Sequence, residues 1–413
     1  MKSSNFKIGW KTILKLGFLA FLIAIPLYGL YFWYRLDEPM IIKSLPDPFI
    51  LNNGTRVSTE AEWNLRRNEI KETLQNLEYG HLPGNPDRIE VTNLSSQDLG
   101  EGKILNTLKM TIIPNNSLPE TNFNFTLWVA LPNGTGPFPT IVKVSEEGTG
   151  SQEPARDQVL TRGYIYVCFN HIELDPDITG NDIIGPCQQA YPSYDWGSIG
   201  VWAWGAMRVA DYLLNETWVN APDGIPNVDP SKLIITGHSR RGKTALLAGA
   251  FDERFTMVVP NESGCAGAGS FLIQGYISET IADITSPSRF RYWFNENFTK
   301  FAGNEVNIPF DQHFLRSLVA PRLILSMEAT EDFWSNPIGS QAIYEAANPV
   351  FKFLDKEENN AIHYRGGFHG FTSEDFDTLM NFADKMLLNK SVVGNFYMTP
   401  YNIEFPIYYS EPL

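Results

Sequence analysis

Short apolar runs alternate with longer segments of helical character from residue 140 to the C-terminal region. The strand-like runs, rich in Ile, Leu and Val, cover 140–144, 164–169, 233–236, 256–259, 323–327 and 361–364. The segments with helical spacing or helix-forming residues cover 200–214, 244–251, 311–318, 338–347 and 373–388. Strands that alternate with helices are typical of a mostly parallel sheet, because a parallel connection has to cross over the sheet.

The region from about 85 to 132 has a different pattern. Its apolar runs are separated by Pro, Asn and Gly, as in Pro132-Asn133-Gly134, and these residues favour the turns that join antiparallel strands. An antiparallel entry followed by a parallel sheet predicts a three-layer α/β sandwich of the α/β-hydrolase type.

The first 36 residues form a separate unit. Four lysines precede nineteen uncharged residues, 16–34, a length that spans a bilayer as a helix. No convincing small-x-small cleavage site follows, so the pattern predicts an uncleaved signal-anchor transmembrane helix. The lysines are expected to stay cytoplasmic, which places a single catalytic domain, 37–413, on the extracytoplasmic side. Secretion after signal cleavage is the alternative.

Charge and composition narrow the class of protein. The chain is 43% apolar and has a net charge of −15, which becomes −20 beyond residue 36, because five positive charges and no acidic residue lie in 1–36. A domain this acidic is not expected to bind nucleic acid. Nine Asn-x-Ser/Thr sequons suggest a glycoprotein, and three cysteines allow at most one disulfide.

Residues 236–243, Thr-Gly-His-Ser-Arg-Arg-Gly-Lys, join a strand-like run to a helical segment. A serine on a sharp strand-to-helix turn presents its hydroxyl at the edge of the sheet, beside a helix N-terminus that stabilises negative charge. Ser239 is therefore a candidate nucleophile, and Arg240 a candidate oxyanion donor through its backbone and guanidinium N–H groups. Gly242 follows the serine by three residues instead of the usual two. A solvated serine on an ordinary turn is the alternative.

Six histidines are available as a general base. His369 lies in a glycine-containing loop, 366–370, between the last strand-like run and the last helix, where α/β-hydrolases carry their histidine. His238 adjoins the serine, and a tight turn is expected to direct its ring elsewhere. A surface-loop histidine is the alternative for His369.

Two carboxylates are candidates for the acid that orients the histidine. Glu262 follows the strand-like run at 256–259, and Asp332 follows the next one, which is the usual place for the acid in this fold. Either of them is suited to stabilise an imidazolium. The residues leave this choice open.

These segments together resemble the glucuronoyl esterases, carbohydrate esterase family 15, over most of the chain after residue 36. The matching segments are 194–197 (Tyr-Asp-Trp-Gly), 201–205 (Val-Trp-Ala-Trp-Gly), 237–243, 261–264 (Asn-Glu-Ser-Gly), 309–313 (Pro-Phe-Asp-Gln-His), 320–322 (Ala-Pro-Arg), 331–334 (Glu-Asp-Phe-Trp) and 364–369 (Tyr-Arg-Gly-Gly-Phe-His).

The resemblance implies that Ser239 is the nucleophile, His369 the base, Glu262 the acid and Arg240 the oxyanion donor. Some members of the family have a second carboxylate at the position of Asp332, so both acids stay candidates. Ser239 would attack the ester carbonyl, and water would then release the uronate from the acyl-enzyme.

The resemblance also implies the substrate. It predicts esters of hexuronic acids, such as 4-O-methylglucuronoyl esters between xylan and lignin alcohols, with Lys243 contacting sugar hydroxyls and Trp334 lining the sugar pocket. No metal or organic cofactor is implied. An acetyl xylan or general carboxylesterase, and a catalytically silent, membrane-tethered carbohydrate-binding relative, are the alternatives. The sequence leaves the oligomeric state open.

One departure from the family concerns the loops that carry the site. Many members have a cysteine directly before the serine and another directly after the histidine, which form a bridge. Here His238 and Gly370 occupy these places. The loss of both cysteines is compatible with the triad and leaves open how the two loops are tied together.

Overall fold

A computed structural model describes residues 39–145, 154–179, 184–402 and 409. Strands β1 to β12 are Met40–Ile41, Arg88–Gly100, Lys103–Ile113, Phe123–Leu131, Phe138–Ser145, Ile165–Asn170, Val219–Asn220, Val228–His238, Met257–Asn261, Ile273–Gln274, Leu323–Ala329 and Asn360–Arg365. Helices α1 to α9 are Glu60–Leu74, Pro154–Thr161, Pro186–Ala190, Ser198–Leu213, Arg240–Phe251, Ile281–Ile284, His313–Ser317, Pro337–Phe353 and Ser373–Leu388.

Ten strands form one sheet in the order β12-β11-β9-β8-β5-β6-β4-β3-β2-β7. Neighbouring strands are parallel from β12 to β6, and the pairs β6/β4, β4/β3 and β3/β2 are antiparallel. The prediction of an antiparallel entry followed by a parallel sheet is confirmed.

The central strands are buried on both faces. In β8, Ile235 belongs to the apolar cluster that includes α4 and α5, whereas Ile234 belongs to the cluster that includes α9. Because successive side chains of a strand point to opposite faces, this division places helices above and below the sheet. The result is the expected α/β three-layer arrangement.

Helix α1 has no counterpart among the predicted elements. It begins with a capping box between Thr59 and Glu62, and it buries only a narrow stripe that includes Trp63 and Ile70. Most of the rest of its surface is polar, apart from the exposed Leu65, so its apolar periodicity is too sparse to stand out in the sequence. Helix α8 is longer than expected and continues through Pro349 to Phe353.

The predicted signal anchor at 16–34 lies outside the described residues. Within the described ranges, no helix has the length and apolar character needed to cross a bilayer. The three cysteines are buried free thiols.

Candidate active site

Ser239 lies on the predicted sharp turn between β8 and α5. Its backbone has φ 59° and ψ −127°, a conformation that costs energy for a residue with a side chain. A Cβ on Gly237 would lie 2.2 Å from the carbonyl oxygen of Arg241, and one on Gly242 would lie 2.9 Å from that of Asn261. Both glycines therefore allow close backbone packing, and the shifted position of Gly242 still serves the turn.

His369 lies in the loop between β12 and α9, and its side chain is 40% exposed. Its Nδ1 is 2.6 Å from Oδ2 of Asp332, 3.3 Å from Oε2 of Glu262 and 3.2 Å from the hydroxyl of Ser335. Among the described residues, no hydrogen bond joins the Ser239 hydroxyl to His369. Such bonds are often loose before substrate binds.

The two carboxylates differ in their other partners. Glu262 accepts hydrogen bonds from the guanidinium of Arg365 and, at 2.7 Å, from the backbone N–H of Gly370. It is fully buried and has a positive φ of 42°. Asp332 also lies in a buried position, and its close contact is with the imidazole.

The acids set the charge state of His369. Burial lowers its pKa, but the hydrogen bonds that the ring donates to Asp332 and Glu262, together with the negative charges of these carboxylates, outweigh burial and raise the pKa to about 9. Burial raises the pKa of Glu262 above its ordinary value. The pKa of Asp332 falls below its ordinary value, because its hydrogen bonds with His369 and Ser335 outweigh the effect of burial. Asp332 is therefore the acid better matched to an imidazolium.

Arg240 is held beside the serine by a group that the sequence reasoning missed. Its Nη1 donates to Asp177 at 2.7 Å, and Asp177 also accepts from the hydroxyl of Tyr292 and the indole of Trp293. The guanidinium lies 4.9 Å from the Trp293 ring centroid and 5.2 Å from that of Phe290. Arg240 is thereby paired with a carboxylate, and the position of its guanidinium is fixed.

Lys243 is almost completely buried. Its ammonium donates to the carbonyls of Ser263 and Cys265 and, at 2.8 Å, to the carboxylate of Glu279. These bonds use all three ammonium donors, so contact with a sugar hydroxyl would replace one of them. The backbone N–H of Glu279 donates to the carbonyl of Trp334, whose side chain is 43% exposed. Lys243 and Trp334 thus meet through Glu279, which the sequence reasoning did not identify.

His238 does not turn away from the site. Its ring centroid lies 4.4 Å from that of His369, and its Nδ1 lies 2.6 Å from Oδ1 of Asn261. Burial, followed by the charge of His369, lowers the pKa of His238 to about 3, so its ring is neutral. Nitrogen atoms of His238 and His369 and an oxygen of Glu262 lie within 4.8 Å of one another, close enough to share a metal ion.

The structure brings Ser239, His369, Glu262 and Asp332 to the carboxyl ends of neighbouring parallel strands. Three contacting residues were missed: Asp177, Glu279 and Arg365. Their partners Arg240, Lys243 and Glu262 lie 63, 36 and 103 residues away in the sequence. The position of Arg365 at the end of a strand-like run was a usable signal, whereas Asp177 and Glu279 have no comparable one.

Comparison with known proteins agrees with this architecture. Residues 116–355 match the family model described as "Glucuronyl esterase, fungi". A 4-O-methyl-glucuronoyl methylesterase of Podospora anserina is 30% identical over 362 residues, which cover 85% of this chain and 69% of that protein.

Two solved structures show the same fold. A carbohydrate esterase family 15 glucuronoyl esterase from Caldicellulosiruptor kristjansonii superposes with a TM-score of 0.75 at 28% identity, over 90% of this chain and 98% of that one. A glucuronoyl esterase variant from Sporotrichum thermophile, in complex with methyl 4-O-methyl-β-D-glucopyranuronate, gives a TM-score of 0.70 at 25% identity, over 90% and 95% of the two chains. The chain belongs to the glucuronoyl esterases of carbohydrate esterase family 15.

Proposed function

We propose that this chain hydrolyses carboxylic esters of hexuronic acids through an acyl-enzyme on Ser239. The observation that supports this most strongly is the carboxylate-bound His369 on a loop beside a strained serine turn. The imidazole, oriented through Nδ1, offers Nε2 as the base toward the serine.

In the first step, His369 takes the proton of the Ser239 hydroxyl while the oxygen attacks the ester carbonyl. The tetrahedral oxyanion is stabilised by N–H groups at the start of α5 and by Arg240, which Asp177 holds in place. The alcohol leaves with the proton from His369. Water then attacks the acyl-enzyme, with His369 again as base, and releases the uronate and the serine.

The proposed substrate rests on the relatives and on the residues around Trp334. The Podospora anserina relative is a 4-O-methyl-glucuronoyl methylesterase, and the Sporotrichum thermophile structure contains a methyl glucuronate ester. Here the exposed Trp334 offers a flat apolar face for a sugar ring, and its backbone carbonyl accepts a hydrogen bond from Glu279, whose carboxylate binds Lys243. A 4-O-methylglucuronoyl ester of a lignin alcohol on xylan is the natural substrate class that we propose.

The test compares two substrates of the purified full chain. We expect hydrolysis of benzyl glucuronate to exceed hydrolysis of p-nitrophenyl acetate in kcat/KM, because only the glucuronate engages the residues around Trp334. Ser239→Ala, purified in parallel, corrects for contaminating esterases. Preference for the acetate would favour a general carboxylesterase. Binding of glucuronate without turnover of either ester would favour a silent carbohydrate-binding relative.

The sequence of the first 36 residues supports membrane tethering with the large domain outside the cytoplasm. Lysines followed by nineteen uncharged residues are the basis of this proposal. The protein should then stay in the membrane pellet after carbonate washing, and external protease should digest the large domain. A soluble mature protein that begins between residues 30 and 45 would contradict the anchor.

A further inference from the structure

The contact between His238 and His369 places a second imidazole against the proposed base. Their ring centroids are 4.4 Å apart at an interplanar angle of 43°, and Glu262 lies beside them. We propose that His238, His369 and Glu262 form an inhibitory binding site for a divalent transition-metal ion of the zinc class. The inhibition rests on the proposed function, whereas the binding of the ion does not.

The donor set suits zinc. Two imidazole nitrogens and one carboxylate oxygen are ligands that Zn²⁺ takes in tetrahedral sites, with water as the fourth. The three donor atoms lie within 4.8 Å of one another. Nδ1 of His369 and Oε2 of Glu262 are 3.3 Å apart, about the separation of two ligands that each lie roughly 2.0–2.1 Å from a tetrahedral ion.

Neighbouring groups prepare His238 as a ligand. The side-chain amide of Asn261 donates from Nδ2 to the carbonyl of Met327, so its Oδ1 faces Nδ1 of His238 at 2.6 Å. Nδ1 therefore carries the hydrogen, and Nε2 keeps the lone pair that binds a metal.

Charge and access also favour an ion here. Glu262 and Asp332 supply two carboxylates next to His369, and Arg365 balances one of them. The side chain of His369 is 40% exposed, which leaves a route from solvent.

Binding of the ion would stop the proposed reaction whichever nitrogen of His369 it takes. On Nε2, the ion occupies the lone pair that receives the serine proton. On Nδ1, it displaces the hydrogen bond that orients the ring toward Ser239.

The experiment titrates the full chain with Zn²⁺ in isothermal calorimetry and in the esterase assay, with Mg²⁺ as a hard-cation control. His238→Gln removes the imidazole ligand and keeps a side chain able to bond Asn261. His238→Phe keeps an aromatic ring against His369 and serves if the glutamine variant does not fold. His81→Ala is the matched control, because His81 also pairs with carboxylates, those of Glu72 and Asp195, but on the surface.

We expect one Zn²⁺ per chain, with inhibition that follows the calorimetric saturation and no effect of Mg²⁺. The His238 variants should weaken both zinc binding and inhibition by about 10-fold or more, relative to each variant's own zinc-free rate, whereas His81→Ala should not. Zinc binding that is absent, or unchanged in the His238 variants, would overturn the site. Calorimetry on Ser239→Ala measures zinc binding to the site even if the wild-type chain hydrolyses no uronate ester.

Discussion

The loops that follow β9 and β11 each bring a carboxylate to His369, but they hold it in different ways. Glu262, after β9, is fully buried and bonded to Arg365 and to the backbone of Gly370 in the histidine loop. Asp332, after β11, makes the shorter contact with the imidazole, at 2.6 Å against 3.3 Å.

We propose that this difference separates two tasks that one acid often performs. Glu262 fixes the loop on which His369 lies, and its charge is shared with a guanidinium. Asp332 has its charge directed at Nδ1 and a pKa below its ordinary value, so it is ready to stabilise an imidazolium. The resemblance to the family implied Glu262 as the acid, whereas the distances support Asp332 in this chain.

Both acids bear on catalysis only if His369 is the base that deprotonates Ser239. Removing the serine tests this and has the largest expected effect. Ser239→Ala should lower kcat on a glucuronate ester by a factor on the order of 10³ or more, because no other hydroxyl on the turn can form the acyl-enzyme. An unchanged Tm serves as the control for folding. Retained turnover in this variant would rule out the proposed nucleophile.

Loss of the closer acid should have the next largest effect. Asp332→Asn should lower kcat on the order of 10²-fold, less than the roughly 10⁴-fold loss seen when a lone orienting aspartate is replaced, since Glu262 remains beside the ring. Steady-state kinetics measure the change.

The matched control for this variant is Glu331→Gln. Glu331 bonds the backbone N–H of Gly367 in the same histidine loop. We expect this neighbour to have a much smaller effect on kcat, and an equal loss in the two variants would show that loop geometry, not the charge beside the imidazole, is responsible.

Loss of Glu262 should affect the stability of the fold more than the rate of the reaction. Glu262→Gln should lower the free energy of unfolding by about 2 kcal/mol, because it weakens charged hydrogen bonds to Arg365 and Gly370 in a buried place. Urea unfolding measures the change, and Glu253→Gln is the control, because the carboxylate of Glu253 pairs with Arg67 but is itself exposed. Stability equal to the wild type would remove the loop-holding role from Glu262.

The acids should also set the pH dependence of the reaction. The base works only when His369 is unprotonated, so kcat/KM should rise with pH toward a midpoint near the His369 pKa of about 9. Asp332→Asn should move this midpoint down by about one pH unit, since the imidazolium loses its nearer charge. Background hydrolysis of the ester is subtracted at each pH. A midpoint that stays in place would assign the raised pKa to Glu262 alone.

The raised pKa of His369 also makes the stability of the fold depend on pH. The pKa of His369 in the fold exceeds its ordinary value of 6.5, so its pairing stabilises the protein fully below that value. This stabilisation is lost as the pH rises through about 9. Tm measured across this window should show the loss in the wild type and less of it in Asp332→Asn.

The sequence predicted those parts of the molecule that carry a periodic or local signal. Continuous apolar runs in β5, β6 and β8 predicted the buried sheet, and the chain order of Ser239 and His369 led to the proposed nucleophile and base, which the fold brings to neighbouring strand ends. Both acids were identified by their positions after strands, but their contacts depend on how two loops pack against a third. No periodic pattern in the sequence indicates how these loops pack.

The same reason explains the missed residues. Asp177 reaches Arg240 from another part of the chain, and no spacing rule connects the two. The ring of His238 faces His369 because the turn at Ser239 and the bond to Asn261 set its direction. Helix α1 was missed because its buried stripe is narrow and its surroundings are charged.

The most direct test of the division between the two acids is a double-mutant cycle of Asp332→Asn and Glu262→Gln, with kcat and Tm measured for each protein. We expect Asp332→Asn to lower kcat at least about tenfold more than Glu262→Gln does, and Glu262→Gln to cause the larger fall in Tm. The reverse order in kcat would make Glu262 the orienting acid. Two mild single variants with a severe double variant would show that the carboxylates share one task, and either result would contradict the separation proposed here.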